Sequence, residues 1–183
     1  MELTPEERFQ SAVSYVLKHE GGLTNDKYDR GGITNFGISL RFLKSINENF
    51  FEGETINSDY VKSLTKGQAI EIYRRFWWDK YHYEAINDLD IAKKIFDTAV
   101  NMGPGGAHII AQKTLNFLDI PVVIDGILGP KTLYALNKVS IEGRKESYLR
   151  AFRTLQKNYY LLLIERNKNL YKFRRGWISR AND

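Results

Sequence analysis

The sequence predicts a mainly α fold, helical with a short loop or β-hairpin after the first helix. Three observations point there. Apolar residues recur at helical spacing along most of the chain, helix start and stop residues flank the first such stretch, and strand signals are confined to two short segments. At 183 residues the chain is about one domain, or one domain with a small annex, and long enough to bury a core without covalent staples.

The first helix is read over Pro5 to Glu20, where Phe9, Ala12, Val13, Val16 and Leu17 follow the i, i+3, i+4, i+7, i+8 pattern. Thr4 is its N-cap, Pro5 suits the first helical position, Glu7 completes a capping box, and Gly21-Gly22 ends it. Leu23 to Gly37 is polar and glycine-rich, a loop or short hairpin. A short helix is expected at Ser39 to Ile46 and an irregular linker at Asn47 to Ser58. Thr65 to Tyr81 carries Ala69, Ile70, Tyr73, Phe76 and Trp77 at helical spacing, and Asp90 to Met102 carries Ile91, Ala92, Ile95, Phe96, Ala99 and Val100. Gly103-Pro104-Gly105-Gly106 interrupts before a helix from Ala107 to Leu118. Ile120 to Pro130 is a second loop, with a short strand expected at Val122 to Ile124. Helices follow at Pro130 to Asn137 and Ile141 to Leu170, then an aromatic, basic tail around Phe173 to Arg180. There is no internal repeat, low-complexity tract or clear linker between domains.

Composition removes several classes of function. The absence of cysteine excludes disulfides, cysteine nucleophiles and thiolate metal sites. The three histidines, His19, His82 and His108, are scattered, with no HExxH pair, so no metal and no cofactor is expected. With 43% hydrophobic and 27% charged residues the chain is globular rather than disordered. No apolar run reaches the roughly 20 residues a membrane span needs; the longest is Tyr159 to Ile164. The first residues, MELTPEERFQ, are acidic and polar, unlike a signal peptide. The net charge of +5 and the 13% aromatics suit nucleic acid and an anionic cell wall equally.

Glu20 is the most informative residue. Counted in helical steps it returns to within about 20° of Phe9, on the apolar face, at the C-terminal end of the first helix. The helix dipole and partial burial both disfavour a negative charge there, which is what a general acid at neutral pH requires. The loop that follows supplies Asn25, Asp26, Asp29, Thr34 and Asn35. Paired carboxyls across a cleft are the common apparatus of glycoside hydrolysis, while Asn and Asp in loops also serve as turn formers. Asp97 and Asn101, one helical turn apart, could line a cleft or make buried hydrogen bonds. Trp77 and Trp78 cannot both face the core of one helix, so one is a candidate for stacking on a sugar ring.

The run Glu20-Gly-Gly, Asn25-Asp26, Asp29, Gly31-Gly32-Ile-Thr34-Asn35-Phe-Gly37-Ile38 resembles the N-terminal signature of glycoside hydrolase family 108, the N-acetylmuramidases found as phage endolysins and as proteins once labelled secretion activators. The resemblance continues through Phe76-Trp-Trp-Asp79, Phe96-Asp97-Thr-Ala-Val-Asn101-Met-Gly103, Ala111-Gln112, Asp125-Gly-Ile-Leu-Gly129-Pro-Lys-Thr132 and Arg175-Gly-Trp177-Ile-Ser-Arg180. It spans essentially the whole chain. Leu23 stands where the family often has an aromatic.

The resemblance implies a lysozyme-like fold with Glu20 as catalytic acid. It implies a catalytic region over residues 1–90 and a helical, peptidoglycan-binding-like region over 91–183, packed as one compact unit. The order Glu20, Asp29, Thr34 is similar to the triad of phage-type lysozymes. The Asp-to-Thr interval is one residue shorter here, which leaves both Asp29 and Asp26 as the second carboxylate. Asn25, Asp26, Asn35, Trp77, Trp78, Asp97 and Asn101 are then substrate-binding candidates. The expected reaction is cleavage of the β-1,4 bond between N-acetylmuramic acid and N-acetylglucosamine. The expected partner is bacterial peptidoglycan, not nucleic acid, and the expected form is a monomer without membrane insertion. Such an endolysin would wait in the host cytoplasm until a holin or another route released it to the wall. The competing readings are a lytic transglycosylase and a noncatalytic wall-binding or secretion accessory module.

Overall fold

The computed structural model describes residues 3–23, 32–46, 48–51 and 53–183. These form two compact units, Met1–Lys80 and Tyr81–Asp183. Of the described residues, 73% are helical. Nine α-helices and a single two-stranded sheet are found among the described residues.

In the N-terminal unit, α1 (Pro5–His19) begins at the expected capping box. The Glu7 amide donates to Thr4 Oγ1 at 3.2 Å and the Thr4 amide donates to Glu7 Oε2 at 2.8 Å. Phe9, Ala12, Val13 and Val16 are fully buried on one face. Strands β1 (Thr34–Asn35) and β2 (Ile38–Ser39) form an antiparallel hairpin pairing Thr34 with Ser39 and Asn35 with Ile38. Its two turn residues, Phe36 and Gly37, both have positive φ, 50° and 75°, as a type I′ turn requires. Ser39 then caps α2 (Leu40–Ser45) by accepting from the Phe42 amide.

Within and after the stretch expected to be irregular lie a 3-10 turn at Glu48–Phe51 and α3 (Ser58–Ser63), which Asn57 caps by accepting from the Asp59 and Tyr60 amides. The helix expected from Thr65 to Tyr81 is shorter. α4 (Lys66–Tyr73) starts at a second capping box, Thr65 with Gln68, and passes into a π-helical segment, Arg74–Asp79. Trp78 from that segment meets Phe9 of α1 edge-on at 5.8 Å. Arg74 sits 4.0 Å over the Phe9 ring and pairs with Glu6.

The C-terminal unit contains α5 (Leu89–Met102), α6 (Pro104–Phe117), α7 (Pro130–Ile141), α8 (Lys145–Arg166) and α9 (Arg174–Asn182). α8 packs against the other four. It is shorter than the expected Ile141 to Leu170: Gly143, at φ 69°, turns the chain ahead of it, and Asn167, extended at φ −141° and ψ 96°, ends it before a 3-10 segment at Lys168–Phe173. The strand expected at Val122 to Ile124 does not form. The Asn116 side chain takes a strand neighbour's place, accepting from the Val122 amide at 2.7 Å and donating to the Val122 carbonyl at 3.0 Å. The compact units divide ten residues before the boundary read from the sequence: Tyr83 packs on Phe96 and bonds His108, and Asn137 of α7 bonds the Ala85 carbonyl and the Asn87 amide, so residues 81–90 go with the C-terminal helices.

Candidate active site

Glu20 is the C-cap of α1. Its amide donates to the Val16 carbonyl at 3.2 Å, but its own backbone is extended, at φ −83° and ψ 126°. The helical count that placed it on the face of Phe9 therefore ends at His19, and its direction is set by this extended cap instead. The hairpin locates the carboxyl. A Cβ placed on Gly37 would lie 2.5 Å from Glu20 Cδ and 2.6 Å from Tyr73 Oη. Gly37 thus serves twice: it allows the positive φ of the turn, and its missing side chain leaves the space into which Glu20 and Tyr73 both reach. Tyr73, fully buried at the end of α4, donates its hydroxyl to the Phe36 carbonyl at 2.8 Å and so ties the strained turn to the helix.

Trp77 and Trp78 are sorted by the π-helical segment. Trp78 is 2% exposed, a core residue that cannot stack on a sugar. Trp77 is half-buried, with ring centroids 5.4 Å from Tyr73 and 4.3 Å from Phe42. A half-buried carboxyl, a buried phenol and an indole therefore follow one another around the hairpin turn of the N-terminal unit. π-helical segments occur often at functional sites. The carboxyl can exchange a proton with a substrate oxygen, and the indole can offer a flat face.

The other expected site residues fall in different places. Asn25, Asp26 and Asp29 lie outside the described residues. Thr34 is on β1, in the hairpin that holds Gly37, and its hydroxyl donates to the Gly32 carbonyl at 3.2 Å. Asn35 is buried, and its side-chain nitrogen faces the carbonyls of Val61, Lys62 and Leu64 at 3.0, 3.4 and 3.4 Å, closing the end of α3. Asp97 is fully buried in a two-pronged pair with Arg180: Nε to Oδ2 at 2.9 Å and a terminal nitrogen to Oδ1 at 2.8 Å. Asn101 accepts from the Tyr160 hydroxyl at 2.7 Å. Within the C-terminal unit Asp97 therefore makes buried hydrogen bonds, and Asn101, half-buried, is bonded to Tyr160. Among the described residues no cluster of His, Asp and Glu could hold a metal ion.

Tyr73 was read from the sequence only as part of an apolar face. The signal that could have marked it is its hydroxyl, which on a buried residue needs a partner. The later motifs also find their physical purpose. Gln112 of α6 donates to Asp125 Oδ1 at 2.7 Å and to the Ile127 carbonyl at 2.9 Å, and accepts from the amides of Asp125 and Gly126 at 3.0 and 2.8 Å. It thereby fixes the loop ahead of α7. His108 lies between the Gly126 carbonyl and the Tyr83 hydroxyl, each at 2.9 Å, and burial keeps its proton affinity below the usual histidine range. Trp177 stacks between Tyr160 and Phe173, at 5.0 and 5.5 Å.

Residues 13–103 match the family described as Glycosyl hydrolase 108, and residues 106–182 match the Predicted Peptidoglycan domain. The first match runs past the boundary between the compact units and ends with α5. The chain is also similar to the solved structure of SagA from Brucella abortus. The TM-score is 0.74 at 28% identity, covering 97% of this chain and 91% of that one. No curated protein matches it.

Proposed function

The chain belongs to the Glycosyl hydrolase 108 family and continues into a predicted peptidoglycan domain, and from that premise we propose that it is an N-acetylmuramidase. It cleaves the β-1,4 bond between N-acetylmuramic acid and N-acetylglucosamine in bacterial peptidoglycan. The observation that supports this most is the seating of the half-buried Glu20 carboxyl against Gly37 and Tyr73, within the glycosyl hydrolase region. Glu20 acts as general acid and protonates the leaving oxygen. Asp29 or Asp26 is the second carboxylate, and Thr34 assists in holding the attacking water. Trp77 offers a stacking face beside the acid. Asn25 contacts substrate from the same loop. As an endolysin the protein acts as a monomer, held in the host cytoplasm until a holin opens the way to the wall.

The test is product analysis after digestion of purified sacculi by wild type and by Glu20→Gln. Wild type should release muropeptides with reducing muramic ends, and the variant should release none while keeping its circular dichroism spectrum. Undiminished cleavage by the variant overturns the assignment of Glu20. Anhydro-muramic ends from wild type replace hydrolysis by the transglycosylase reaction.

A further inference from the structure

On the C-terminal unit, the loop from Ile120 to Gly129 and the outer face of α7 enclose an open groove of about 1050 Å³, lined among others by Val123, Ile127, Lys131, Tyr134 and Lys138. Its wall is unusual for a free surface. Val123 is 73% exposed, Ile127 64% and Tyr134 72%. This exposure does not belong to a slack loop, because the Gln112 and Asn116 side chains bond its backbone at Val122, Asp125, Gly126 and Ile127. A fixed loop that presents aliphatic and aromatic side chains to water is a preformed contact face.

Charge selects the occupant. Residues 81–183 carry 16 Lys and Arg against 10 Asp and Glu, whereas residues 1–80 carry 11 against 12, so the basic excess of the protein lies wholly in this unit. Lys131 and Lys138 stand two turns apart on α7, about 10 Å along the axis, with Tyr134 between them. Lys131 has no acidic partner among the described residues, and Lys138 has only the exposed Glu142 at 3.4 Å. The one carboxylate in the wall, Asp125, is engaged by Gln112 and by the Ile127 amide, at 2.7 and 2.9 Å.

We propose that this groove holds the peptide stem of peptidoglycan, with Lys131 and Lys138 meeting stem carboxylates and Tyr134, Val123 and Ile127 meeting its alanine methyl groups. The proposal rests on the peptidoglycan reading above and names the part of the polymer this unit grips. The glycan strand is uncharged once its lactyl groups are amide-linked to stems, so the anionic charge of the polymer lies on the stems. An extended stem places carboxylates about three residues, or roughly 10 Å, apart, which matches the lysine spacing.

The experiment uses the full chain and a Lys131→Glu, Tyr134→Ala double variant, both positions being exposed. Each is sedimented at 4 °C with intact sacculi and titrated with the soluble stem tetrapeptide and with a chitin hexasaccharide, which offers sugar rings with neither stem nor carboxylate. Wild type should bind intact sacculi and the tetrapeptide. The double variant should bind both about tenfold more weakly with an unchanged melting temperature and an unchanged affinity for the hexasaccharide. Equal binding of the tetrapeptide by the variant overturns the groove assignment, and a loss confined to the hexasaccharide overturns the stem in favour of the glycan. Failure of wild type to bind sacculi at all while still binding the tetrapeptide overturns the peptidoglycan reading and leaves the groove chemistry standing. Failure to bind either overturns both.

Discussion

Replacing Gly37 by alanine tests whether the hairpin turn positions the acid. Two costs are separable. The first is conformational: at φ 75° an L side chain meets its own backbone, worth about 1 kcal/mol or somewhat more. The second is steric. Contacts of 2.5 and 2.6 Å to Glu20 Cδ and Tyr73 Oη fall about 1 Å short of the ordinary 3.4–4 Å, so a neighbour must move. Tyr73 is fully buried and held on the Phe36 carbonyl, whereas Glu20 is half-exposed at the end of a flexible chain, so Glu20 yields first. A displacement of about 1 Å at a catalytic group costs on the order of a hundredfold in rate.

Gly32 supplies the control. Its φ is 74°, and a Cβ there meets nothing within 4 Å among the described residues. Gly32→Ala therefore carries the conformational cost alone, and Gly37→Ala carries both. Urea denaturation should show Gly32→Ala about 1 kcal/mol less stable than wild type. Gly37→Ala should lose roughly a further 1–3 kcal/mol. In a reducing-end assay on purified peptidoglycan the Gly37 variant should be about a hundredfold slower and the Gly32 variant near wild type. Equal activity of the two variants would refute the idea that Gly37 seats Glu20.

Two further predictions concern the buried ionic cluster of the C-terminal unit. Asp97→Ala leaves Arg180 buried without its carboxylate and should cost about 3–5 kcal/mol. The Asp97→Ala, Arg180→Met double variant should regain more than half of that loss, and a single-variant loss below about 1 kcal/mol in urea would contradict the pairing. Lys94 is almost fully buried and donates to the Arg180 and Ala181 carbonyls at 2.8 and 3.3 Å. Burial pushes its pKa down to about 8, against the opposing pull of Asp97. Between that value and about 10.5 the unfolded chain binds the proton more tightly than the native protein. Stability should therefore rise with pH, by about 2 kcal/mol from pH 7.5 to 9.5. Lys94→Met should flatten this rise, and a slope unchanged by the substitution would show that Lys94 is not its source.

The helices and their caps could be read in the sequence because the forces that make them act between near neighbours. Thr4, Pro5 and Glu7 fix the start of α1 within four residues, and the apolar spacing from Asp90 to Met102 fixes the face that α5 buries. The same local rules located Glu20 at a helix end. They failed at its direction, because a count of 100° per residue holds only while the backbone stays helical, and Glu20 is extended. They left open which of the two tryptophans is buried, because a π-helical segment replaces the α-helical period there.

What the tertiary structure alone decided is which polar groups meet. Gly37 makes room for Glu20 across seventeen positions of chain, and Tyr73 reaches the Phe36 carbonyl across 37. Asp97 finds Arg180 across 83, in a buried pair, and Asn101 finds Tyr160 across 59. A hydrogen bond is satisfied by any partner of the right kind at about 3 Å. Residue type therefore says that Asp97 needs a donor or that Tyr73 needs an acceptor, and only the packing of α4 against the hairpin and of α5 against α9 supplies the one that is there.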